Sequence, residues 1–153
     1  MKKFFPVLFL LPVTMIGFLS GCGGGSGKSG DDGNISLSGQ QVSLFEGGTM
    51  LYRLQFTGQE VDVIRMETRT VYDGVYTYRF NGGANSGALN ISPASNSVAA
   101  CSMRDVNISF DDSERTSGVI ASGTITETGP DLDFSIDGVP RPMAGWTCRV
   151  HRD

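Results

Sequence analysis

The chain has 153 residues, 39% of them hydrophobic, enough for one domain with a core of its own. Its 12 Lys+Arg against 16 Asp+Glu give a net charge of −4, and beyond Lys2-Lys3 the cations are scattered singly, which argues against nucleic acid as a partner. One histidine and three cysteines, without a C-x-x-C pair, give little support to a zinc site.

The first element is an export signal. Lys2 and Lys3 precede an apolar run over 4–21, FFPVLFLLPVTMIGFLSG, so a positive segment, an apolar segment and small terminal residues follow in order. The run is shorter than the ~20 residues of a membrane-spanning helix and contains Pro6 and Pro12. It ends on Leu19-Ser20-Gly21-Cys22, which resembles the lipobox of bacterial lipoproteins at every position. The resemblance implies cleavage between Gly21 and Cys22, and acylation of Cys22 (palmitate among the chains) as a membrane anchor. By the enterobacterial sorting pattern, Gly23 in place of Asp implies the outer membrane. The implied division is a signal peptide over 1–21, a lipidated cysteine and tether over 22–33, and a β-domain over 34–153.

Residues 22–30, CGGGSGKSG, look like a phosphate-cradling loop, G-x-x-x-x-G-K-[ST]. That motif works only between a strand and a helix. Here position 22 is Cys instead of Gly, a leader precedes it, and Asp31 and Asp32 follow. No nucleotide is expected. The Gly/Ser-rich coil over the 11 residues 23–33 reaches roughly 17–20 Å and serves as a flexible tether.

Beyond the tether the apolar spacing is 2, the period of strands. Strand patterns lie near 42–45, at Tyr52-Leu54-Phe56, over 61–71, at Tyr76-Tyr78-Phe80 and over 87–92. Val106-Ile108-Phe110, 117–127, Leu132-Phe134-Ile136 and Trp146-Cys148-Val150 follow. Cys101 and Met103 have the opposite parity to Val106, which requires a bulge near Arg104-Asp105. Turn residues include Asp73-Gly74, a hairpin signal, then Asn81-Gly82-Gly83, Asn85-Ser86-Gly87, Gly129-Pro130 and Asp137-Gly138. The expectation is an all-β fold: one antiparallel meander of about eight strands, closing as a β-sandwich or a small up-and-down barrel. Gly74-x-Tyr76-x-Tyr78, Gly83-Ala84-Asn85-x-Gly87-x-Leu89, Phe110 and Ser117-Gly118 are together similar to a meander segment of other exported bacterial β-proteins. That similarity implies the meander and no activity.

With Cys22 taken by lipid, Cys101 and Cys148 read as a disulfide of an oxidising compartment. Free thiols and metal ligands are the alternatives. His151 falls on the solvent face of the last strand, and no G-x-S-x-G elbow accompanies it. Asp111, Asp112 and Glu114 are candidates for a cation, without EF-hand spacing. Asp131 and Asp133 share one strand face, as a carboxylate pair or a solvated edge. The inward aromatics are core, or the lining of a ligand cavity.

No catalytic residue, cofactor site or resident metal is assigned. The leading expectation is a non-catalytic envelope lipoprotein whose β-domain contacts a protein or glycan partner. A small barrel carrying an apolar ligand, calycin-like in architecture, is the alternative, and a lipoprotein enzyme comes third. A filled interior separates the first from the second.

Overall fold

The computed structural model describes residues 33–34, 36–94 and 97–152. The leader, Cys22 and most of the tether lie outside the described residues. Among the described residues ten strands run in chain order: β1 (Gly33–Asn34), β2 (Gln40–Glu46), β3 (Thr49–Thr57), β4 (Glu60–Arg65), β5 (Val71–Asn81), β6 (Ser86–Pro93), β7 (Ala100–Phe110), β8 (Ser117–Thr128), β9 (Arg141–Pro142) and β10 (Thr147–Arg152). From β2 to β8 each strand pairs antiparallel with the next, and β10 pairs with both β8 and β2. The sheet therefore closes as an eight-stranded up-and-down barrel. Short β1 extends along β5 beyond β4, and short β9 lies along β8 beyond β10.

Period-2 alternation drives the closure. Val42 and Leu44, Tyr52, Leu54 and Phe56, Val61 and Val63, and Leu89 and Ile91 point inward, while Gln41, Gln55 and Asp62 occupy the wall. Burying each large inward side chain contributes roughly 1.5–3 kcal/mol. Closing the ring also removes the exposed strand edges an open sheet would carry. An eight-stranded barrel is just wide enough for its own side chains to fill. Tyr52, Tyr72, Leu54, Met103, Ile120, Ile125 and Met143, each under 2% exposed, fill this one.

The turn between β2 and β3 is Gly47-Gly48, both at positive φ (56° and 85°), as a two-residue hairpin with matching twist demands. The bulge expected near Arg104-Asp105 is present. The β7–β8 register shifts between Arg104 and Asn107, and Asp105 takes a φ of 54°.

Three expectations are corrected. Asp73-Gly74 is no hairpin turn: both residues lie inside β5, and the chain reverses over 66–70. The alternation Leu132-Phe134-Ile136 is not a strand. Asp133 caps a local turn there, its carboxylate accepting from the Ser135 N–H (2.8 Å) and its carbonyl from the Ile136 N–H (2.9 Å). Such side-chain bonds compete with a ladder.

The Cys101–Cys148 disulfide is also overturned, because both thiols are free and buried. Cys101 sits opposite Glu127 on β8, whereas Cys148 sits opposite Gly118. Nine positions of strand, about 30 Å, separate those levels, far beyond the roughly 7 Å limit for bridged Cα atoms.

Burial pushes the Cys148 thiol up to about 12 and raises that of Cys101 as well. Folded protein at pH 8 should therefore resist alkylation, while denatured protein gives two thiols, and reduction leaves the melting temperature unchanged. The folded state keeps protons that unfolded thiols lose, so stability should fall as pH rises from about 9 toward 12. Rapid alkylation of the folded protein, or none after denaturation, would contradict this placement.

Strand direction gives the barrel two distinct ends. The turns at 58–59, 82–85 and 111–116 lie at one end, with the C-terminal end of β10. Gly33 pairs with Phe80 near the end of β5, so the N-terminal segment also joins there. The turns at 47–48, 66–70 and 129–140, with the end of β6 and the start of β7, lie at the opposite, distal end.

Candidate functional site

The distal mouth holds a charged group inside the barrel. In β4, Val61, Val63 and Arg65 share the inward phase; in β8, Ile125 and Glu127 do. Glu127 is 2% exposed. The Tyr52 hydroxyl donates to its Oε2 at 2.6 Å and the Tyr72 hydroxyl to its Oε1 at 3.0 Å. Arg141 Nη2 donates to Oε2 at 3.3 Å, and Arg65 Nη1 lies 3.6 Å from the same oxygen. Arg141 also donates to the Tyr52 hydroxyl at 2.5 Å. The second arm of Arg65 reaches out to Glu67, at 2.8 Å. Tyr52 stacks on Trp146, with centroids 6.1 Å apart and 12° between planes.

A buried carboxylate is tolerable only when paired and fully hydrogen-bonded. Glu127 meets both conditions, with four partners drawn from β3, β4, β5 and β9. Burial, and then the bond to Glu127, raises the Tyr52 hydroxyl far above its ordinary value. Burial, followed by the Glu127 charge, pushes the Tyr72 hydroxyl up to about 12. Both tyrosines are thus fixed as donors near neutral pH. Both carboxylate oxygens accept from the protein's own donors, so the cluster's chemistry is that of a clamp. It ties five strands together at the distal mouth and fixes β9, on which the 129–140 loop ends.

Beyond the clamp, the distal loops expose apolar tips. Phe134 is 98% exposed and Val98 85%. Their loops approach each other at their bases, where Gly129 lies against Ala99.

The residues singled out from the sequence are dispersed. His151 is exposed on the outer wall of β10, paired across with Gln41. Asp111, Asp112 and Glu114 occupy the β7–β8 turn, where the Ser117 hydroxyl lies within reach of both the Asp111 and Asp112 carboxylates, at 3.3 and 3.4 Å. The Asp112 carboxylate accepts from the Thr116 N–H (3.1 Å) and hydroxyl (2.9 Å) and from the Ser117 N–H (3.2 Å), and those bonds hold its carboxyl below the usual range. The Glu114 carbonyl accepts from Arg152. Among the described residues, no three His, Cys, Asp or Glu side chains gather as a metal site. Asp133 is spent on its turn, and Asp131 lies exposed in the same loop. The aromatics Tyr52, Phe56, Tyr78 and Phe80 are core, while Tyr76 is half-buried. Sequence reasoning missed Arg65, Glu127 and Arg141. For the first two the signal was a charge standing in the inward phase of its strand.

Comparison with known protein families, curated proteins and solved structures finds no match to this chain.

Proposed function

We propose that this chain is a lipid-anchored protein of a bacterial envelope, sorted by Gly23 to the outer membrane, whose β-barrel contacts a protein or glycan partner without catalysing a reaction. The observation that carries this reading is the filled interior. Side chains from all eight barrel strands occupy the space where a carrier of the same architecture would hold an apolar ligand. The lipobox resemblance at 19–22 supports the anchor through Cys22. The place of Gly33 and of Phe134 at opposite ends of the barrel supports contact through the distal loops.

Mass spectrometry of the protein extracted from its native envelope tests the reading. A polypeptide beginning at Cys22 with added acyl mass, and no stoichiometric non-covalent companion, is the expected result. A chain retaining residues 1–21 without acyl mass would remove the anchor. One releasable apolar molecule per protein would make the barrel a carrier.

A further inference from the structure

The outer wall carries a second arrangement, independent of the clamp. One rung of the sheet runs across five strand pairings, Ser117–Arg149–Ser43–Arg53–Ile64–Val71. Ser43 alternates with inward Val42 and Leu44 and so faces out, yet it is only 2% exposed. It lies between Arg53 on β3 and Arg149 on β10. Arg149 is held over the ring of Phe45, its guanidinium carbon 5.5 Å from the centroid.

Neither arginine forms an ion pair among the described residues. Arg53 Nε is buried with no hydrogen-bond partner. The nearest carboxylate by register is Asp62, one rung along β4 and diagonal to Arg53, and it is not paired with it. The neighbouring rung runs His151–Gln41–Gln55–Asp62 across β10, β2, β3 and β4. An orphaned buried donor is costly. Two guanidinia without an ion pair, on strands about 10 Å apart, add mutual repulsion. One oxyanion over Ser43 relieves both, because guanidinium forks match phosphate oxygens.

We propose that the wall around Ser43 is a phosphate-binding site, with Arg53 and Arg149 as its two arms and Gln41 and Gln55 at its border. The phosphate is a free or glycan-borne group, or the headgroup of an anionic lipid.

The test uses the full-length protein in neutral detergent, ¹⁵N-labelled, titrated with inorganic phosphate at constant ionic strength. The Nε–H signals of Arg53 and Arg149 should shift together and saturate, and chloride should not reproduce the effect. Arg53→Gln and Arg149→Gln should each weaken phosphate binding by about tenfold or more, the loss of one charged hydrogen bond. Arg53→Lys, which keeps the charge and lacks Nε–H, should fall between wild type and Arg53→Gln. Vesicles of phosphatidylglycerol, compared with phosphatidylcholine, separate the sources. Binding that free phosphate displaces assigns a lipid headgroup, and phosphate binding without vesicle binding assigns a soluble or glycan-borne group. Absence of a saturable shift, or unchanged phosphate affinity in folded Arg53→Gln and Arg149→Gln, would overturn the site.

Discussion

Glu127→Ala is expected to lower the stability of the barrel by about 3–5 kcal/mol, the usual cost of removing one partner from a buried ion pair. Two guanidinia would lose their shared counter-charge, and the hydroxyls of Tyr52 and Tyr72 would lose their acceptor in a closed interior. For a domain of this size the loss corresponds to a fall in melting temperature of roughly 10–20 °C. Glu127→Gln keeps the shape and one acceptor oxygen, so its loss should be smaller. Thermal or urea unfolding measures both. A Glu127→Ala protein within about 1 kcal/mol of wild type, no worse than a typical surface change, would show that the cluster does not clamp the mouth.

Gly123→Ala is expected to cost about 4 kcal/mol, combining backbone strain with a steric clash. Gly123 sits at a φ of 134° opposite the β7 bulge. A Cβ there would lie 2.7 Å from the backbone Cα of Val106, an atom that cannot swing aside. Gly145→Ala provides the control. Its φ is also positive, at 86°, but nothing lies within 4 Å of the added carbon, so only the conformational cost of roughly 1–2 kcal/mol applies. Equal losses in the two variants would mean that the close approach of β8 to the bulge is not a constraint.

Much of this architecture was legible before any coordinates. Tyr52-Leu54-Phe56 and Tyr76-Tyr78-Phe80 alternate cleanly because each strand has one buried face, and period 2 is the direct imprint of that. The parity break between Met103 and Val106 located the bulge for the same reason. Alternation fails where side chains bond their own backbone. Leu132-Phe134-Ile136 has strand spacing, but Asp133 closes a turn beneath it. Asp73-Gly74 has turn chemistry, yet Gly74 lies in β5 with its Cα against β6: a Cβ there would meet the Ser92 carbonyl at 2.9 Å. Here glycine marks close packing inside a strand and no reversal.

The disulfide could not be judged from sequence, because two cysteines in one chain say nothing about their levels on a closed sheet. The Glu127 clamp was half legible. Arg65 and Glu127 break the inward pattern of their strands with opposite charges, which points to a pair. Arg141 carries no such signal, since β9 is only two residues long.

The most direct test of the central claim, contact through the distal end of a filled, tethered barrel, is photo-crosslinking in the intact envelope. A photoreactive residue at position 134 probes the exposed loop tip, and one at position 75, on the outer wall of β5, serves as reference. The account predicts a discrete higher-mass adduct from position 134 and none from position 75. Adducts from position 75 with none from position 134 would contradict it.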